Sequence, residues 1–496
     1  MTPELISSLK QFAPEGVIIS GLVFLFIMDA ILPSSRESRL PLFVVLFSCI
    51  LGALVTIGVI PTEASSLFSG VIQSDGVTTF FRLLFFFSCA GGTLLAYETK
   101  VLDRDSLSEF SLLILCVTFG MCLMASATNV LMLYIGIETV SIISFVMAGL
   151  KRDDARSNEA SLKYLIFGAV ASAIMIYGFS LIYGVTGSLN YGDIAKALIE
   201  GGGEPKWAIL LSMVMVYVGL AYKISAFPLH FWTPDVYEGA PTPVTAFFSI
   251  APKAAGFGAA IRFFLCVLST PGEAGVWTPM ALGHGAWTQA IAVLSVLTML
   301  VGNLSAIGQK NVKRILAYSS VAHVGYLLMG FVSANAFGVT AVLFYLVAYC
   351  LMNLGAFWVV GLVADRKKSE DLEAFKGVGW EDPFLGVTMA IFLFSLTGIP
   401  MFSGFVGKFL LFSNVVQTPG FLWLAVIGVL NSVVSLFYYA NILKAMWLDK
   451  PDTVVEAPVS SVHRIALAVL AIPTMVLGLY FEPILKVTQS LVATFR

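Results

Sequence analysis

Long apolar stretches separated by short polar ones fill almost the whole chain of 496 residues. A helix needs roughly 20 residues to cross a hydrocarbon core of about 30 Å, so each long apolar stretch is a candidate transmembrane helix. The polar interruptions between them are too short to bury a core of their own. The pattern predicts an all-α polytopic membrane protein of about fourteen transmembrane helices. The predicted runs are 15–33, 40–60, 77–97, 109–126, 129–150, 160–185, 207–228, 243–268, 287–307, 315–333, 337–363, 384–413, 420–446 and 463–482.

Composition agrees with this pattern, because 58% of the residues are hydrophobic and only 12% are charged. A soluble domain of this size needs more charge on its surface. The formal net charge of -2 makes nucleic acid an unexpected partner and leaves the lipid bilayer as the expected one. Glu15 and Asp29 bracket the first run and no small-residue cleavage site follows it, so we interpret this run as a retained anchor rather than a signal peptide.

The basic residues are unevenly distributed between the two sets of loops. Loops that follow odd-numbered helices hold sixteen of the 28 Lys and Arg, and the opposite side holds five. By the positive-inside rule, the loops after odd-numbered helices are expected to face the cytoplasm and both termini to face outward. The sixteen are Arg36, Arg39, Lys100, Arg104, Lys151, Arg152, Arg156, Lys310, Lys313, Arg314, Arg366, Lys367, Lys368, Lys376, Lys450 and Arg464, and the five are Lys10, Lys196, Lys206, Lys486 and Arg496.

Three further lysines, Lys223, Lys253 and Lys408, lie well inside apolar runs. A charged lysine at such a place costs about 3 kcal/mol on insertion scales, and such residues typically mark ion pathways. Lys163 lies about a turn into its helix, where a structural and a functional role are equally compatible with the sequence.

Glu138 is the matching acidic residue. It lies ten residues after Thr128, which is about 15 Å along a helix and close to the middle of the bilayer. Its own helix offers no cation at i+3 or i+4, so a partner must come from another helix. A buried carboxylate beside a buried lysine can remain charged, and moving one changes the protonation of the other. A proton relay is therefore favoured over a purely structural ion pair.

Other polar side chains have simpler interpretations. Arg82, Arg262 and Lys444 lie near the ends of their runs, where a long side chain can reach the headgroups, and we expect them to do so. His284 and His463 lie in or beside loops and are expected to be solvated. The cysteines lie in apolar runs without C-x-x-C spacing, which favours core residues over metal or iron–sulfur ligands. They are Cys49, Cys89, Cys116, Cys122, Cys266 and Cys350.

Two segments predict broken helices. The stretch YKISAFPLHFWTPDVYEGAPTPV (222–244) is rich in proline and contains His230, Asp235 and Glu238, which we expect towards the cytoplasmic mouth. The stretch SLTGIPMFSGFVGKFLLF (395–412) repeats the theme with glycines and Pro400. Paired interruptions of this kind are typical of inverted-repeat transporters, in which freed backbone groups line a polar cavity.

The breaks suggest a division of the chain into four parts. We predict a three-helix segment over 1–108, a first five-helix repeat over 109–268 (helices 4–8), a second repeat over 287–446 (helices 9–13), and helix 14 within 447–496. An odd number of helices per repeat inverts the second copy.

These residues carry a family resemblance. The stretch at 222–244, followed by SIAPKAAGF, NVLMLYIGIETVSI, AYSSVAHVGYLLMG and GIPMFSGFVGKF, resembles the antiporter-like membrane subunits of respiratory complex I, the proton-translocating NADH:quinone oxidoreductase. The resemblance covers nearly the whole chain and is strongest to bacterial subunit N (subunit 2). Sister subunit M usually has glutamate in place of Lys408, and subunit L carries a long C-terminal helix, so both fit less well.

The resemblance implies a role for each buried charge. It identifies Glu138 as the fifth-helix glutamate, Lys223 as its seventh-helix partner and Lys163 as a lysine that tunes this pair. It makes Lys253 the connecting lysine of helix 8 and Lys408 the twelfth-helix residue near the exit. His323 corresponds to a histidine on the same polar axis, and a satisfied core histidine is an equally good interpretation from the sequence.

The resemblance also implies partners and cofactors. NADH, FMN, iron–sulfur clusters and quinone would belong to the whole complex, with none on this chain, which has no G-x-G-x-x-G turn and no P-loop. Subunit M and the small membrane subunits would be neighbours. Three alternatives stay open: a cation/proton antiporter subunit, the cyanobacterial or chloroplast homologue of the complex, and a scaffold that moves no protons.

Overall fold

A computed structural model describes residues 3–32, 38–99, 101–104, 106–200, 205–272, 275–282, 285–450 and 459–495. Four residues that the sequence analysis discussed, Arg36, Lys100, His284 and Arg496, lie outside these ranges. Helices account for nearly all of the regular structure, which confirms the predicted all-α membrane fold.

The described residues of the first half of the chain form twelve α-helices. Asp75, Asn129 and Asp154 each accept a backbone N–H bond at the start of one of them, which satisfies donors that a helix leaves free. The helices are α1 (Pro3–Gln11), α2 (Ala13–Ile31), α3 (Leu40–Gly58), α4 (Gly76–Glu98), α5 (Ser106–Ser126), α6 (Val130–Ala148), α7 (Ala155–Thr186), α8 (Tyr191–Glu200), α9 (Lys206–Ile224), α10 (Trp232–Gly239), α11 (Thr242–Phe248) and α12 (Ala251–Cys266).

The described second half of the chain is also mainly helical. Its helices are α13 (Trp287–Ile307), α14 (Val312–Leu328), α15 (Ala336–Lys367), α16 (Val378–Glu381), α17 (Pro383–Thr397), α18 (Ser403–Val416), α19 (Leu422–Trp447), α20 (Ser461–Leu479) and α21 (Glu482–Val492), with 3-10 turns at Met329–Phe331 and Leu372–Phe375. Short hairpins lie in the described loops: β1 (Ser65–Leu67) with β2 (Ile72–Ser74), β3 (Ser269–Pro271) with β4 (Trp277–Pro279), and β5 (Ala281–Leu282) with β6 (Gly285–Ala286).

Each of the fourteen predicted apolar runs contains a helix or a pair of helices in the described structure. Within the described ranges, twelve segments are long and apolar enough to cross a membrane. The two other runs correspond to α14, with 17 residues, and to the pair α17 and α18, with 15 and 14 residues.

Both predicted helix breaks are present. Helix α9 ends at Ile224, and Ser225 has a positive φ of 64° that turns the chain out of the helix. The second break lies between α17 and α18, where Gly398 has a φ of 89°, a conformation that glycine adopts without strain.

The two ends of the described chain meet at one face of the bundle. The backbone N–H of Gly76 donates to Thr494 Oγ1 at 2.7 Å, and Ser74 Oγ donates to Gln11 Oε1 at 3.1 Å. Helices α1 and α21 and hairpin β1–β2 therefore share a face, which we call the terminal face.

Candidate functional site

Lys223 lies in the last turn of α9, immediately before the first break. Its side chain is 2% exposed, and its Nζ donates to Ser141 Oγ on α6 at 3.0 Å. Gly256 on α12 packs against this turn of α9, because a Cβ there would lie 2.4 Å from Ile224 Cγ2 and 3.6 Å from Lys223 Cγ. The lysine is thus enclosed by three helices and reaches none of the lipid-facing surface.

Glu138 lies on α6 three residues before Ser141. It is half-buried, and its Oε1 atom is buried with no hydrogen-bond partner within the described residues. The expected direct contact with Lys223 is not formed: the ammonium group bonds to Ser141 instead. Lys223 therefore contacts α6 three residues, or nearly one turn, beyond Glu138.

Lys253 lies in the first turn of α12 and is 3% exposed. Its Nζ donates to Ser320 Oγ on α14 at 2.5 Å, and Tyr349 OH on α15 donates to the same oxygen at 2.7 Å. The ring of Tyr237 lies 5.2 Å from the ammonium group, within cation–π range. The lysine thus links the first half of the chain to α14 and α15.

His323 lies one turn after Ser320 on α14 and is 2% exposed. Its Nδ1 and Nε2 atoms are hydrogen-bonded to the hydroxyl groups of Tyr345 and Tyr439, the latter at 3.2 Å. Tyr439 also bonds to Ser319. The imidazole is therefore fully satisfied and forms part of a chain of hydroxyl groups.

Lys408 lies in the second turn of α18, just beyond the second break. Its Nζ donates to the carbonyl oxygens of Leu396 and Thr397 at 3.0 and 2.9 Å, and to Ser432 Oγ at 2.9 Å. These carbonyl groups end α17, where a helix carries partial negative charge. The broken helix thus supplies the counter-charge that the sequence does not reveal. The Tyr326 ring lies 4.5 Å from the ammonium group.

Lys163 lies away from these residues, on the side opposite the terminal face. It is 38% exposed and forms ion pairs with Glu159 at 2.7 Å and with Asp235 of α10 at 2.6 Å. Arg314 of α14 bonds to Asp235 at 2.8 Å and to Glu238 at 2.7 Å. Lys163 thus belongs to a surface network rather than to the pair of Glu138 and Lys223.

Lys313 extends this network. It donates to the carbonyl oxygens of Glu238 and Ala240 at the end of α10 and to Glu370 at 3.0 Å. A polar cavity of about 430 Å³ lies beside it and is also lined by Lys151. Burial, followed by the charge of Lys313, lowers the pKa of Lys151 below its usual value. From the sequence, Lys151 and Lys313 were expected in cytoplasmic loops. The contacts of Lys313 with the end of α10 were not predicted.

Arg82 and Arg262 are buried, whereas the sequence predicted that both would reach the headgroups. Arg82 is 1% exposed and pairs with Glu15 through two bonds of 2.7 and 2.9 Å. Arg262 is 0% exposed and pairs with Asp75 at 2.7 Å. The snorkelling interpretation was wrong for both, because each finds a carboxylate on a neighbouring helix or loop. Lys444 is exposed, as expected.

His463 was also misplaced by the sequence analysis. It is 6% exposed and accepts a 3.0 Å hydrogen bond from Trp358 Nε1. It is a buried packing residue because α20 packs against α15 at this level.

Within the described ranges, no group of three His, Cys, Asp or Glu side chains is placed so that it could hold a metal ion. Four cysteines, Cys49, Cys89, Cys122 and Cys350, are buried, and Cys116 and Cys266 are partly buried. All six are unpaired thiols. The chemistry that this arrangement can perform is hydrogen-bonded proton transfer.

Comparisons with known proteins agree with the geometry. A family described as NADH:quinone oxidoreductase/Mrp antiporter, TM matches residues 127–435. The chain is 44% identical to NADH-quinone oxidoreductase subunit N 2 of Sorangium cellulosum, covering 99% of this chain and 98% of that protein. It superimposes on a chain of respiratory complex I from Thermus thermophilus with a TM-score of 0.78 and 30% identity, over 95% and 98% of the two chains. A chain of the Mrp complex from Dietzia shares the fold, with a TM-score of 0.83 and 20% identity over 98% and 97%. The chain therefore belongs to the antiporter-like membrane subunits of this family, among the subunit N proteins of NADH-quinone oxidoreductase.

Proposed function

We propose that the chain is a proton-translocating membrane-arm subunit of NADH:quinone oxidoreductase, in which protons pass along a central axis of buried glutamate and lysine. One observation carries the proposal: Lys223, Lys253 and Lys408 are each at most 3% exposed, and each ammonium group bonds to a hydroxyl group. Three charged lysines in the membrane interior would cost about 3 kcal/mol each. A role in moving charge accounts for such a cost.

In the second half of the axis, polar groups are linked partly by hydrogen bonds and partly by packing. Lys253 bonds to Ser320, and His323 follows one turn later on α14 with Tyr345 as a partner. Tyr345 packs against the residue before Lys408, because a Cβ on Gly407 would lie 2.3 Å from its ring. Hydroxyl and imidazole groups both donate and accept, so they can relay protons between the two lysines.

The step between Lys223 and Lys253 requires water. No direct hydrogen bond joins the two in the described part of the chain. Buried polar atoms without a protein partner lie near both ends: Ser225 Oγ beside Lys223, and Asn353 Oδ1, whose amide nitrogen bonds to Ser249 one turn before Lys253. Buried polar groups of this kind are usually satisfied by internal water.

Glu138 and Lys223 would form the switch. Lys223 bonds to Ser141, one turn beyond Glu138 on α6, so a movement of either charged side chain would join or separate the pair. Separation of a buried pair favours the neutral form of each member and so drives a proton from one group to another. We propose that quinone reduction elsewhere in the complex triggers this movement.

The orientation of the chain in the membrane is inferred from the distribution of charge. The network of Lys163, Asp235 and Arg314 lies opposite the terminal face, and the excess of basic loops assigns it to the cytoplasm of a bacterial inner membrane. Both termini would then be periplasmic. Lys163 and this network would tune proton entry, and Lys408 would stand nearest the exit.

Two five-helix repeats, 109–268 and 287–446, would each contribute one broken helix to the axis. Residues 1–108 and 447–496 would flank them. The two breaks, at Ser225 and Gly398, support this inverted arrangement.

Neighbouring subunits would complete the site. Glu138 is partly exposed on the face of α6 that also carries exposed Ile135 and Ile142. A carboxylate is disfavoured against acyl chains, so we propose that a membrane-arm subunit such as subunit M covers this face. Small membrane subunits would also be neighbours. NADH, FMN, the iron–sulfur clusters and quinone would be bound by other parts of the complex.

The test is to replace Glu138 or Lys223 by alanine in the assembled complex. Proton pumping and coupled quinone reduction are expected to fall at least about tenfold, the equivalent of losing roughly 1.4 kcal/mol at the limiting barrier. Glu109→Ala is the control, since Glu109 forms an exposed pair with Arg152. Normal pumping by an assembled Glu138→Ala or Lys223→Ala complex would rule out the relay.

A second candidate is a cation/proton antiporter, which the shared fold of the Mrp chain favours. Sodium-dependent pH changes in vesicles that contain this chain without NADH:quinone oxidoreductase subunits would support it. Their absence, together with pumping driven by quinone reduction in the complex, would support subunit N.

A further inference from the structure

Asn414 has a buried side-chain amide for which the described residues supply no hydrogen-bond partner. It lies in the last turn of α18 and is 1% exposed. Both Oδ1 and Nδ2 are buried without a partner in the described part of the chain. An unsatisfied buried amide costs roughly 1–3 kcal/mol per group, so a native structure normally supplies water there.

Partly exposed polar residues lie close to Asn414. Gly338, in the first turn of α15, lies beside it: a Cβ on Gly338 would be 3.1 Å from Asn414 Nδ2 and 2.7 Å from Ser333 Oγ. The two side chains therefore lie close enough for one water molecule to bridge them. Ser333 Oγ donates to Asn335 Oδ1 at 3.0 Å, and both of these residues are partly exposed.

Asn414 lies on the same helix, α18, as Lys408 of the proposed relay. Asn414 follows Lys408 by six residues, about 9 Å along the helix, in the direction away from the second break. Helix α18 ends two residues later, and the α14–α15 connection that holds Ser333 and Asn335 lies at the same level.

We propose that Asn414, Ser333 and Asn335 form the outward half-channel that releases protons after Lys408. The inference rests on the proposed proton relay and names its exit. Asn414 is a positioning residue: its amide does not titrate, and it holds water by donating through Nδ2 and accepting through Oδ1. Protons would pass through that water to Ser333 and then to bulk solvent.

The experiment uses the assembled complex in vesicles. Asn414→Leu removes both polar atoms at similar volume, and we expect pumping to fall about tenfold, which corresponds to about 1.4 kcal/mol. Asn414→Ser keeps a donor and an acceptor and is expected to retain more than half of the rate. Gln417→Leu, at the exposed end of the same helix, is the matched control and should pump normally.

A second measurement does not depend on the pumping rate. Asn414→Cys is expected to react with a membrane-impermeant thiol reagent added on the outer side and to be protected from the inner side. Pumping by Asn414→Leu within twofold of wild type, or an Asn414→Cys thiol that fails to react from the outer side, would overturn the proposed exit. If Lys408→Ala abolishes pumping at the same time, the relay itself stands. Normal pumping by Lys408→Ala would contradict the relay instead.

Discussion

The buried pair of Glu15 and Arg82 offers a quantitative test of the packing. The two side chains are each 1% exposed and are joined by two hydrogen bonds of 2.7 and 2.9 Å. Glu15→Leu leaves the guanidinium group buried without its counter-ion. Breaking a buried pair in this way costs about 3–5 kcal/mol, whereas replacing both partners by apolar residues is often close to neutral.

The measurement is a double-mutant cycle. Unfolding of the purified chain by SDS in mixed micelles gives a free energy of unfolding for Glu15→Leu, Arg82→Leu and the double variant. Each single variant is expected to lose about 3–5 kcal/mol and the double variant far less than the sum. Glu109→Leu is the control, because its pair with Arg152 has exposures of 45% and 74% and should contribute under about 1 kcal/mol.

The refuting result is equally clear. If Arg82 reaches the headgroups, as the sequence alone suggests, Glu15→Leu will cost less than about 1 kcal/mol and the two substitutions will be additive. Either outcome would show that the paired geometry is not the state present in the micelle.

Three further predictions concern the axis and its entrance. Ser320→Ala removes the oxygen that joins Lys253 to α14 and α15, so pumping measured in vesicles should fall about tenfold while assembly is normal; an unchanged rate would exclude this hydroxyl group from the path. Lys408→Gln keeps donors for the carbonyl groups of α17 but carries no transferable charge, so the complex should assemble and fail to pump; pumping at the wild-type rate would show that the charge is dispensable. Arg314→Met removes one of two cationic partners of Asp235, and because this network is partly exposed we expect a loss of only about 1 kcal/mol in thermal denaturation assays, with a loss above roughly 3 kcal/mol contradicting the screened geometry.

The helices could be predicted from the sequence because their signal is local. Twenty apolar residues in succession have one stable conformation in a bilayer, and every predicted run contains a helix or a pair of helices in the described structure. The two breaks were also predictable, since Pro228 and the Gly398–Pro400 segment disfavour an uninterrupted helix. The burial of Lys223, Lys253 and Lys408 followed from their places inside these runs.

The partners of those charges could not be predicted, because they come from distant parts of the chain. Glu15 and Arg82 are 67 residues apart, and Lys253 and Ser320 are also 67 apart. Near the end of an apolar run, an arginine that snorkels and one that pairs have the same sequence signature. Lys408 finds its counter-charge in backbone carbonyl groups, which any sequence would supply at the end of α17. The predicted break at Gly398 was the sequence feature that indicated free carbonyl groups near Lys408.

The central claim is that Lys223, Lys253 and Lys408 share one hydrated path through the membrane interior. A cryo-EM map of the native complex, at a resolution that shows ordered water, tests it most directly. We expect water density between Lys223 and Lys253, in contact with Ser225 and Asn353. Apolar side chains closing that gap in every state of the complex, with no water between the two ammonium groups, would contradict the account.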